Sequence, residues 1–236
     1  MRLHAKAAIV VLTGAGISAE SGIATFRDSG GLWENQRVED VATPEGFQRN
    51  PLLVHRFYNE RRAQLKTVQP NAAHRALARL EAEWPGGVLV VTQNVDDLHE
   101  RAGSRQLVHM HGQLRQAVCQ HCGTVHPWEL DLLPETSCPA CGRKHTLRPN
   151  IVWFGEMPLE MERIHQALAE CGMFLAVGTS GVVYPAAGLV TMANAFAYTM
   201  EINKEASAVA SDFVEQRLGK ATERVPELVE ELLSGS

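Results

Sequence analysis

Four of the five cysteines stand in two close pairs whose spacing suits a metal ion: Cys119, Cys122, Cys138 and Cys141. Two C-x-x-C pairs separated by fifteen residues are typical of a structural zinc site. Four thiolates close a tetrahedron around zinc and leave no position open for water, so this ion would hold a small module together rather than perform chemistry. Three nearby histidines could compete as ligands: His121, His126 and His145. Unligated or redox thiols are a further alternative, and the remaining Cys171 is predicted to be a packed core residue on an amphipathic helix.

A glycine-rich turn follows the first apolar segment of the chain. Residues 14–19 read Gly-Ala-Gly-Ile-Ser-Ala and fit the pattern G-x-G-x-x-A. In that pattern the glycines permit a tight turn and the close approach of a pyrophosphate, and backbone N–H groups face the anion. A plain strand-to-helix turn with small packing residues is the alternative. A dehydrogenase would place an acidic ribose ligand about 20 residues further on, but residues 29–33 read Ser-Gly-Gly-Leu-Trp, so hydride transfer is disfavoured.

Amide, carboxylate and imidazole side chains follow two further apolar segments. Residues 92–97 read Thr-Gln-Asn-Val-Asp-Asp, and residues 109–112 read His-Met-His-Gly. If the segments are parallel strands, these side chains meet at the carboxyl edge of one sheet, where α/β proteins bind ligands. A histidine there could move protons near neutral pH beside polar groups able to hold a sugar or an amide. Either histidine could instead be structural.

Short apolar runs supply the strands that must position these groups. They occupy residues 7–12, 88–91, 107–109, 174–177 and 199–202. Their alternation with helical spacing or glycine turns predicts an α/β fold with a Rossmann-like, doubly wound parallel sheet.

Two stretches interrupt this alternation and are predicted to form a smaller inserted domain. Residues 35–83 are a helical insertion, and residues 115–155 are a zinc-ribbon module. Helices are predicted at 44–49, 52–68 and 72–83, and the acidic segment 227–233 is expected to be a solvated terminal helix. The larger, Rossmann-like domain, which contains the glycine-rich turn, is then made of residues 1–34, 84–114 and 156–236.

Length, composition and charge exclude several classes of protein. The 236 residues are 45% hydrophobic and 21% charged, which suffices for a large core without disulfides. The formal net charge of -5 argues against a nucleic-acid binder that tracks phosphates. No stretch reaches the roughly 18 apolar residues of a membrane span. Paired thiols favour a reducing compartment, so we expect a cytoplasmic monomer with neither membrane nor nucleic acid as a direct partner.

Together these motifs resemble the sirtuins, a family of NAD-dependent protein lysine deacylases. The resemblance runs from Gly14 to at least Asn203. It is carried, in order, by residues 14–23, 25–27 (Thr-Phe-Arg), 93–96, 111–112, both cysteine pairs, 154–156 (Phe-Gly-Glu), 178–180 (Gly-Thr-Ser) and 202–203 (Ile-Asn). It implies that NAD is consumed as a substrate rather than used as a redox carrier. In this family the acyl group of a lysine passes to ADP-ribose as nicotinamide leaves.

The resemblance also implies roles for individual residues. His111 matches the general base toward the nicotinamide-ribose hydroxyls, whereas His109 faces the other way by strand alternation. Asn94 would orient the ribose, and Asp96 with the backbone of Ile17 would hold the carboxamide. The other residues implied in NAD binding are Gly14, Ala15, Gly16, Glu20, Phe26, Arg27, Trp33, Gln93, Gly178, Thr179, Ser180, Asn203 and Ala221. Of these, Phe26 and Arg27 resemble the family's cofactor lid.

The resemblance also implies a substrate edge at residues 152–156. An extended acyl-lysine peptide would add there through main-chain hydrogen bonds. The residues concerned are Val152, Phe154, Gly155 and Glu156. Packing of the interdomain wall is an alternative role for Trp153 and Phe154. Ala206 departs from the family, which commonly carries a proline at that position.

Tyr58 and Arg61 stand three residues apart on a predicted helix and therefore share a face. A phenol and a guanidinium converging inside an acyl tunnel would pair with the carboxylate of succinyl- or malonyl-lysine. The two residues match the Tyr-x-x-Arg pattern of the bacterial-type class III sirtuins, which remove negatively charged acyl groups. Ala42 matches a small residue that leaves room for the longer chain. The alternative is a solvated basic face of Arg61 and Arg62, with Tyr58 in the core.

The sequence therefore predicts NAD-dependent removal of succinyl, malonyl and acetyl groups from protein lysines, with nicotinamide and 2′-O-acyl-ADP-ribose as products. Two alternatives belong to other classes: a mono-ADP-ribosyltransferase, and a zinc-stabilised NAD sensor without enzymatic activity. Nicotinamide release that depends on an acyl-peptide would separate the three.

Overall fold

The computed structural model describes residues 6–24, 32–33 and 36–235. The strands in those ranges are β1 (Ala8–Thr13), β2 (Leu32–Trp33), β3 (Gln36–Arg37), β4 (Val88–Thr92), β5 (Leu107–His109), β6 (Gly112–Cys119), β7 (Val125–Pro127), β8 (Leu147–Ile151), β9 (Cys171–Val177), β10 (Tyr198–Asn203) and β11 (Glu215–Leu218). Six of them form one sheet in the order β11-β10-β9-β1-β4-β5, and every neighbouring pair is parallel. The predicted α/β fold with a parallel, Rossmann-like sheet is confirmed.

Helices cover this sheet and build the insertion between β3 and β4. They are α1 (Ala15–Ser18), α2 (Val38–Val41), α3 (Pro44–Arg49), α4 (Pro51–Gln64), α5 (Ala72–Glu83), α6 (Leu98–Ala102), α7 (Met161–Glu170), α8 (Leu189–Ala193) and α9 (Ala221–Ser234). Prolines open α3 and α4, where the missing N–H costs nothing. Asn71 caps α5 by accepting hydrogen bonds from the backbone N–H groups of Ala73 and His74. Within the described ranges, no helix has both the length and the apolar character needed to cross a membrane.

Alternate residues of β1 enter two different cores. Ile9 and Val11 pack with α5 and α9 on one face of the sheet, whereas Val10 and Leu12 pack with α7 and α8 on the other. A strand covered on both faces needs apolar residues at every position, which explains its continuous apolar run.

A second sheet contains Cys119, holds the other paired cysteines on the connections between its strands, and packs against α4. It is antiparallel, in the order β7-β6-β8. Arg62 of α4 is only 2% exposed, and its guanidinium donates to the carbonyls of Leu114 at 2.8 Å and Leu130 at 3.2 Å. Asn59 donates its amide N–H to the Leu132 carbonyl at 3.0 Å. Arg62 therefore does not belong to a solvated basic face; it anchors α4 to the cysteine module.

Several elements differ from the sequence prediction. Helix α4 ends at Gln64, short of the predicted residue 68. Cys171 is buried, as predicted, but it begins β9 instead of lying on a helix. Strand β11 was not predicted. The terminal helix α9 is not solvated, because one of its faces is buried through Val225, Leu228, Val229 and Leu232.

Candidate active site

A cavity of about 920 Å³ opens at the carboxyl ends of β1, β4, β9 and β10. Topology alone would place a ligand at this edge. The cavity brings together most of the residues predicted to bind NAD or substrate: Gly14, Ala15, Gly16, Glu20, Trp33, Ala42, Tyr58, Arg61, Gln93, Asn94, Asp96, His111, Val152, Phe154, Gly155, Glu156, Gly178, Thr179, Ser180, Asn203 and Ala221. Predicted lid residues Phe26 and Arg27 lie outside the described residues.

The glycine turn brings two chain segments so close that side chains would collide. A Cβ on Gly16 would lie 2.7 Å from the Cα of Gly178, and a Cβ on Gly14 would lie 2.7 Å from the Gly178 carbonyl oxygen. The Gly16 N–H donates to that carbonyl, and the Ile17 N–H donates to the Gly14 carbonyl. These two N–H groups are thus hydrogen-bonded within the protein. The anion contact that the motif predicts for the turn stays a prediction.

Ile17 is not among the described residues that line the cavity. Its side chain is fully buried in the core beside α5 and α9. Its carbonyl accepts a hydrogen bond from the Asn71 side chain at 2.8 Å. The carboxamide contact assigned to its backbone stays a prediction.

A buried hydrogen-bond network joins Asn94 to Asp96 through Ser18. The Asn94 amide donates to the Gly14 carbonyl and to the Ser18 hydroxyl, both at 3.1 Å. Ser18 in turn donates to Asp96 at 3.0 Å. Burial raises the pKa of Asp96 to about 6, although hydrogen bonds from the Leu98 N–H and Ser18 act against this shift. Ser18 lies in the glycine motif, but its side chain was not predicted to act in the site.

His111 lies in the turn after β5, and its ring is held by one backbone group. Its Nδ1 is 3.1 Å from the Gln93 carbonyl oxygen, which can only accept. The neutral ring therefore keeps its proton on Nδ1 and leaves Nε2 as a base. Burial lowers the pKa of His111 below its ordinary value of 6.5, and the Gln93 bond opposes that change. The ring is consequently neutral at pH 7.

His109 is separated from the cavity and bonded elsewhere. Its Nε2 is 2.6 Å from a carboxylate oxygen of Glu100, and its Nδ1 is 3.3 Å from the Asn94 carbonyl oxygen. Burial disfavours the charged ring, but the bond and the charge of Glu100 outweigh burial and raise the pKa of His109. The two histidines of this segment thus have opposite environments, and of the two only His111 lines the cavity.

The far wall of the cavity comes from α4 and the loops around it. Tyr58 is fully buried and packs edge-on against Trp33 and Phe57. The side chain of Arg61 is 12% exposed, and its guanidinium carbon lies 3.8 Å from the centroid of the Phe57 ring. Ala42 completes this wall. Tyr58, Arg61 and Ala42 thus line the same cavity.

In the predicted substrate edge, residues 152–156, some of the backbone N–H groups are hydrogen-bonded to other parts of the protein. Val152 donates its N–H to the His111 carbonyl at 2.9 Å, and Phe154 donates to the Ala42 carbonyl at 3.0 Å. Glu156 forms an ion pair with Arg148 at 2.9 Å. The first two contacts connect residues 152–154 to the turn that carries His111 and to Ala42 in the cavity wall.

Predicted NAD residues at the other end of the cavity also stabilise the fold. Glu20 accepts hydrogen bonds from the backbone N–H and hydroxyl of Thr222 and so caps the first turn of α9 next to Ala221. Asn203 donates to the Thr179 carbonyl at 2.6 Å, and Gln93 donates to the Thr179 hydroxyl at 3.0 Å. The cavity lining also includes residues that no motif indicated, among them Gln64, Leu65, Pro158, Val182, Val183 and Tyr184.

The four paired cysteines converge on one point. Their sulfur atoms all lie within 4.8 Å of one another, and the Cys119–Cys141 and Cys122–Cys138 separations are both 3.8 Å. Four sulfurs at zinc-bond length on a tetrahedron would be about 3.8 Å apart. The arrangement fits a structural zinc ion, and the four sulfurs leave no place for water. Of the competing histidines, His126 comes within 3.5 Å of the Cys138 sulfur, but within the described chain the cluster consists of the four cysteines.

The fold and this cavity define a nucleotide-binding α/β protein with a zinc-ribbon module. Residues 14–185 match the Sir2 family, and the chain belongs to that family, as the sirtuin resemblance predicts. A Pasteurella multocida (strain Pm70) protein named NAD-dependent protein deacylase is 58% identical over 228 residues, which cover 95% of this chain and 97% of that protein. A protein of the same name from Vibrio vulnificus (strain YJ016) is 57% identical over 229 residues, with coverage of 96% and 94%.

Solved structures agree in fold over nearly the whole chain. A Sir2 homolog–NAD complex superposes with a TM-score of 0.89 at 39% sequence identity and covers 98% of this chain and 92% of its own. A Sir2 protein bound to acetylated peptide superposes with a TM-score of 0.80 at 28% identity, with coverage of 94% and 92%.

Proposed function

We propose that this protein removes acyl groups from protein lysines in an NAD-dependent reaction that yields nicotinamide and 2′-O-acyl-ADP-ribose. The observation that carries the proposal is that one cavity joins the polar strand ends, the basic nitrogen of His111 and the wall formed by Tyr58, Arg61 and Ala42. The deacylases of Pasteurella and Vibrio, similar along almost their full length, support it.

His111 acts as the general base. NAD supplies an electrophilic ribose carbon and nicotinamide as the leaving group. Because Nδ1 of His111 is bonded to the Gln93 carbonyl, Nε2 accepts the proton of a ribose hydroxyl. Its lowered pKa keeps this nitrogen unprotonated at neutral pH, as a base requires.

Asn94 and Asp96 position the sugar and the carboxamide. Both donating positions of the Asn94 amide are used by Gly14 and Ser18, so its carbonyl oxygen remains to accept a ribose hydroxyl. Asp96, when ionised, accepts from the carboxamide of NAD. The Ser18 hydroxyl fixes the orientation of both side chains, since it accepts from one and donates to the other.

The acyl groups removed are succinyl and malonyl, with acetyl also accepted. Tyr58 supports this preference through its hydrogen bonding: its hydroxyl accepts from Trp153, and no described residue accepts the hydroxyl proton in return. A buried donor without an acceptor is costly, and a carboxylate at the end of the acyl chain would satisfy it. Arg61 supplies the positive charge for that carboxylate, and Ala42 leaves space for the chain.

The remaining features of the proposal concern substrate, metal and compartment. Acyl-lysine peptides bind in extended form along Val152, Phe154, Gly155 and Glu156. Zinc at the four cysteines is structural. The four thiolates suit the reducing cytoplasm, and the protein acts there as a monomer.

The decisive assay incubates the protein with NAD and matched acetyl-, malonyl- and succinyl-lysine peptides and follows 2′-O-acyl-ADP-ribose by mass. We expect product with all three peptides and none without an acyl group. Arg61→Met should lower kcat/KM for the succinyl and malonyl peptides and spare the acetyl peptide, which has no charge to lose. Arg56→Met, on an exposed position of the same helix, is the matched control. An equal loss with all three peptides would refute the acyl preference, and absence of the product would refute the function.

A further inference from the structure

Trp153 is held rigidly beside the cavity wall formed by Tyr58, Arg61 and Ala42. Its ring lies between Phe47, with ring centroids 5.3 Å apart, and Arg148, whose guanidinium carbon lies 4.1 Å from the centroid. Its backbone N–H donates to Glu156 at 2.8 Å, and Glu156 is paired with Arg148. The residue is 2% exposed. Packing, a cation–π contact and a backbone bond therefore fix the direction of the indole N–H.

The indole N–H of Trp153 determines which way the Tyr58 hydroxyl proton points. The Trp153 nitrogen lies 3.0 Å from the Tyr58 oxygen, and because indole can only donate, Tyr58 must accept. Burial raises the pKa of Tyr58, so the phenol keeps its proton. With one lone pair taken by Trp153, that proton must point away from the indole.

We infer that Trp153 is a positioning residue for acyl selectivity: by occupying a lone pair of the Tyr58 hydroxyl, it directs the hydroxyl proton toward the carboxylate of a succinyl or malonyl group. This inference rests on the proposed function, because it assigns a cause to the preference for charged acyl groups. Trp153 touches Tyr58 and acts through it. Arg148 and Glu156 belong to the same support, since they hold the indole in place.

The test is the ratio of kcat/KM for matched succinyl- and acetyl-lysine peptides. Trp153→Phe keeps an aromatic ring in the clamp and removes the N–H together with part of the buried indole, and Trp84→Phe removes the same groups from another buried site. We expect the ratio to fall about 3- to 10-fold, the effect of one neutral hydrogen bond, mainly through KM for the succinyl peptide. Trp84→Phe is the control, because Trp84 is also buried and also donates an indole N–H, to the Ala7 carbonyl at 2.8 Å, in a different core. Equal losses with both peptides in Trp153→Phe would overturn the inference.

A double-mutant cycle separates positioning from general packing. In a Tyr58→Phe background there is no hydroxyl to orient, so Trp153→Phe should change the ratio by less than about 2-fold. The same drop in both backgrounds would overturn the inference. If Arg61→Met lowers the ratio but Trp153→Phe does not, only the role of Trp153 fails. If Arg61→Met leaves the ratio unchanged, the proposed acyl preference fails, and the role of Trp153 fails with it.

An NMR measurement checks the contact without turnover. The chain has four tryptophans, so ¹⁵N-indole labelling gives four side-chain N–H signals, and the Trp153 signal is assigned by its loss in Trp153→Phe. Tyr58→Phe should shift this signal and leave the Trp84 signal in place. An unmoved Trp153 signal would mean that the indole does not bond to Tyr58, and the inference would be wrong.

Discussion

Replacing Ser18 with alanine should move the acid limb of the pH–rate profile. Ser18 donates a hydrogen bond to the buried Asp96 carboxylate at 3.0 Å, and this bond lowers the pKa of Asp96 against the larger, opposite effect of burial. A hydrogen bond to a charged group contributes about 1.5–3 kcal/mol, and about 1.4 kcal/mol corresponds to one pKa unit. Loss of the hydroxyl should therefore raise the pKa of Asp96 from about 6 to about 7–8.

The assay is kcat/KM for NAD between pH 5 and pH 9 with a saturating acyl-peptide. In the native protein we expect the acid limb near pH 6, where Asp96 ionises. Burial lowers the pKa of His111 from its ordinary value, so His111 should not move the limb above pH 6.5. In Ser18→Ala, activity at pH 6.5 should fall about 3- to 25-fold, and the loss should shrink toward pH 9 as Asp96 ionises. Ser21→Ala is the control, because Ser21 accepts from Asn71 and does not contact Asp96. A uniform loss at every pH would refute an ionised Asp96 as the acceptor for the carboxamide.

Three further outcomes follow from the structure. The pKa of Asp96 is raised from 3.8 to about 6 in the folded protein, so its protonated form stabilises the native protein below pH 3.8, and this stability is lost as pH rises through 6. Relative to the native protein, Asp96→Asn should therefore gain up to about 3 kcal/mol of unfolding free energy in urea between pH 4 and pH 7. A pH-independent difference would contradict this. Gly16→Ala should lower Tm by about 2–10 °C through the clash with Gly178, while Gly188→Ala, which meets only Tyr184 at 3.7 Å, should change it little. Cys138→Ser should lose the one zinc per chain, measured by mass spectrometry of the metal, and with it the fold of its module, whereas Cys171→Ser should keep the metal; full zinc content in Cys138→Ser would exclude the four-cysteine site.

Local patterns predicted the strands and motif positions because their signals lie within a few residues. Strand β1 reads as a continuous apolar run since both of its faces are covered. Strand β11 escaped prediction because an edge strand reading Glu-Gln-Arg-Leu has no such signal. Cys171 is predicted on a helix because α7 passes directly into β9, with no residue between Glu170 and Cys171 and a glycine only at position 172. In α9 the acidic residues obscured the buried spacing of Val225, Leu228, Val229 and Leu232.

Local motifs predicted the positions of site residues, but not the long-range contacts that orient their side chains. Motifs located His111 and Asn94, and one helical turn located Tyr58 with Arg61. The contacts that orient these groups join residues far apart in the chain: Ser18 and Asp96 are 78 positions apart, and Trp153 and Tyr58 are 95 apart. No spacing rule connects such pairs, so the Ser18 network and the indole bond to Tyr58 required the fold.

Helix α4 lines the cavity with one set of residues and anchors the cysteine module with the set next to it. Tyr58 and Arg61 line the cavity, and the next residue after each, Asn59 and Arg62, binds main-chain oxygens of the cysteine module. Successive helical residues point about 100° apart, so a rotation of α4 large enough to retune the tunnel would pull the anchors from their carbonyls. Grafting the Tyr-x-x-Arg pair onto another deacylase would thus succeed only where the recipient helix already carries equivalent anchors.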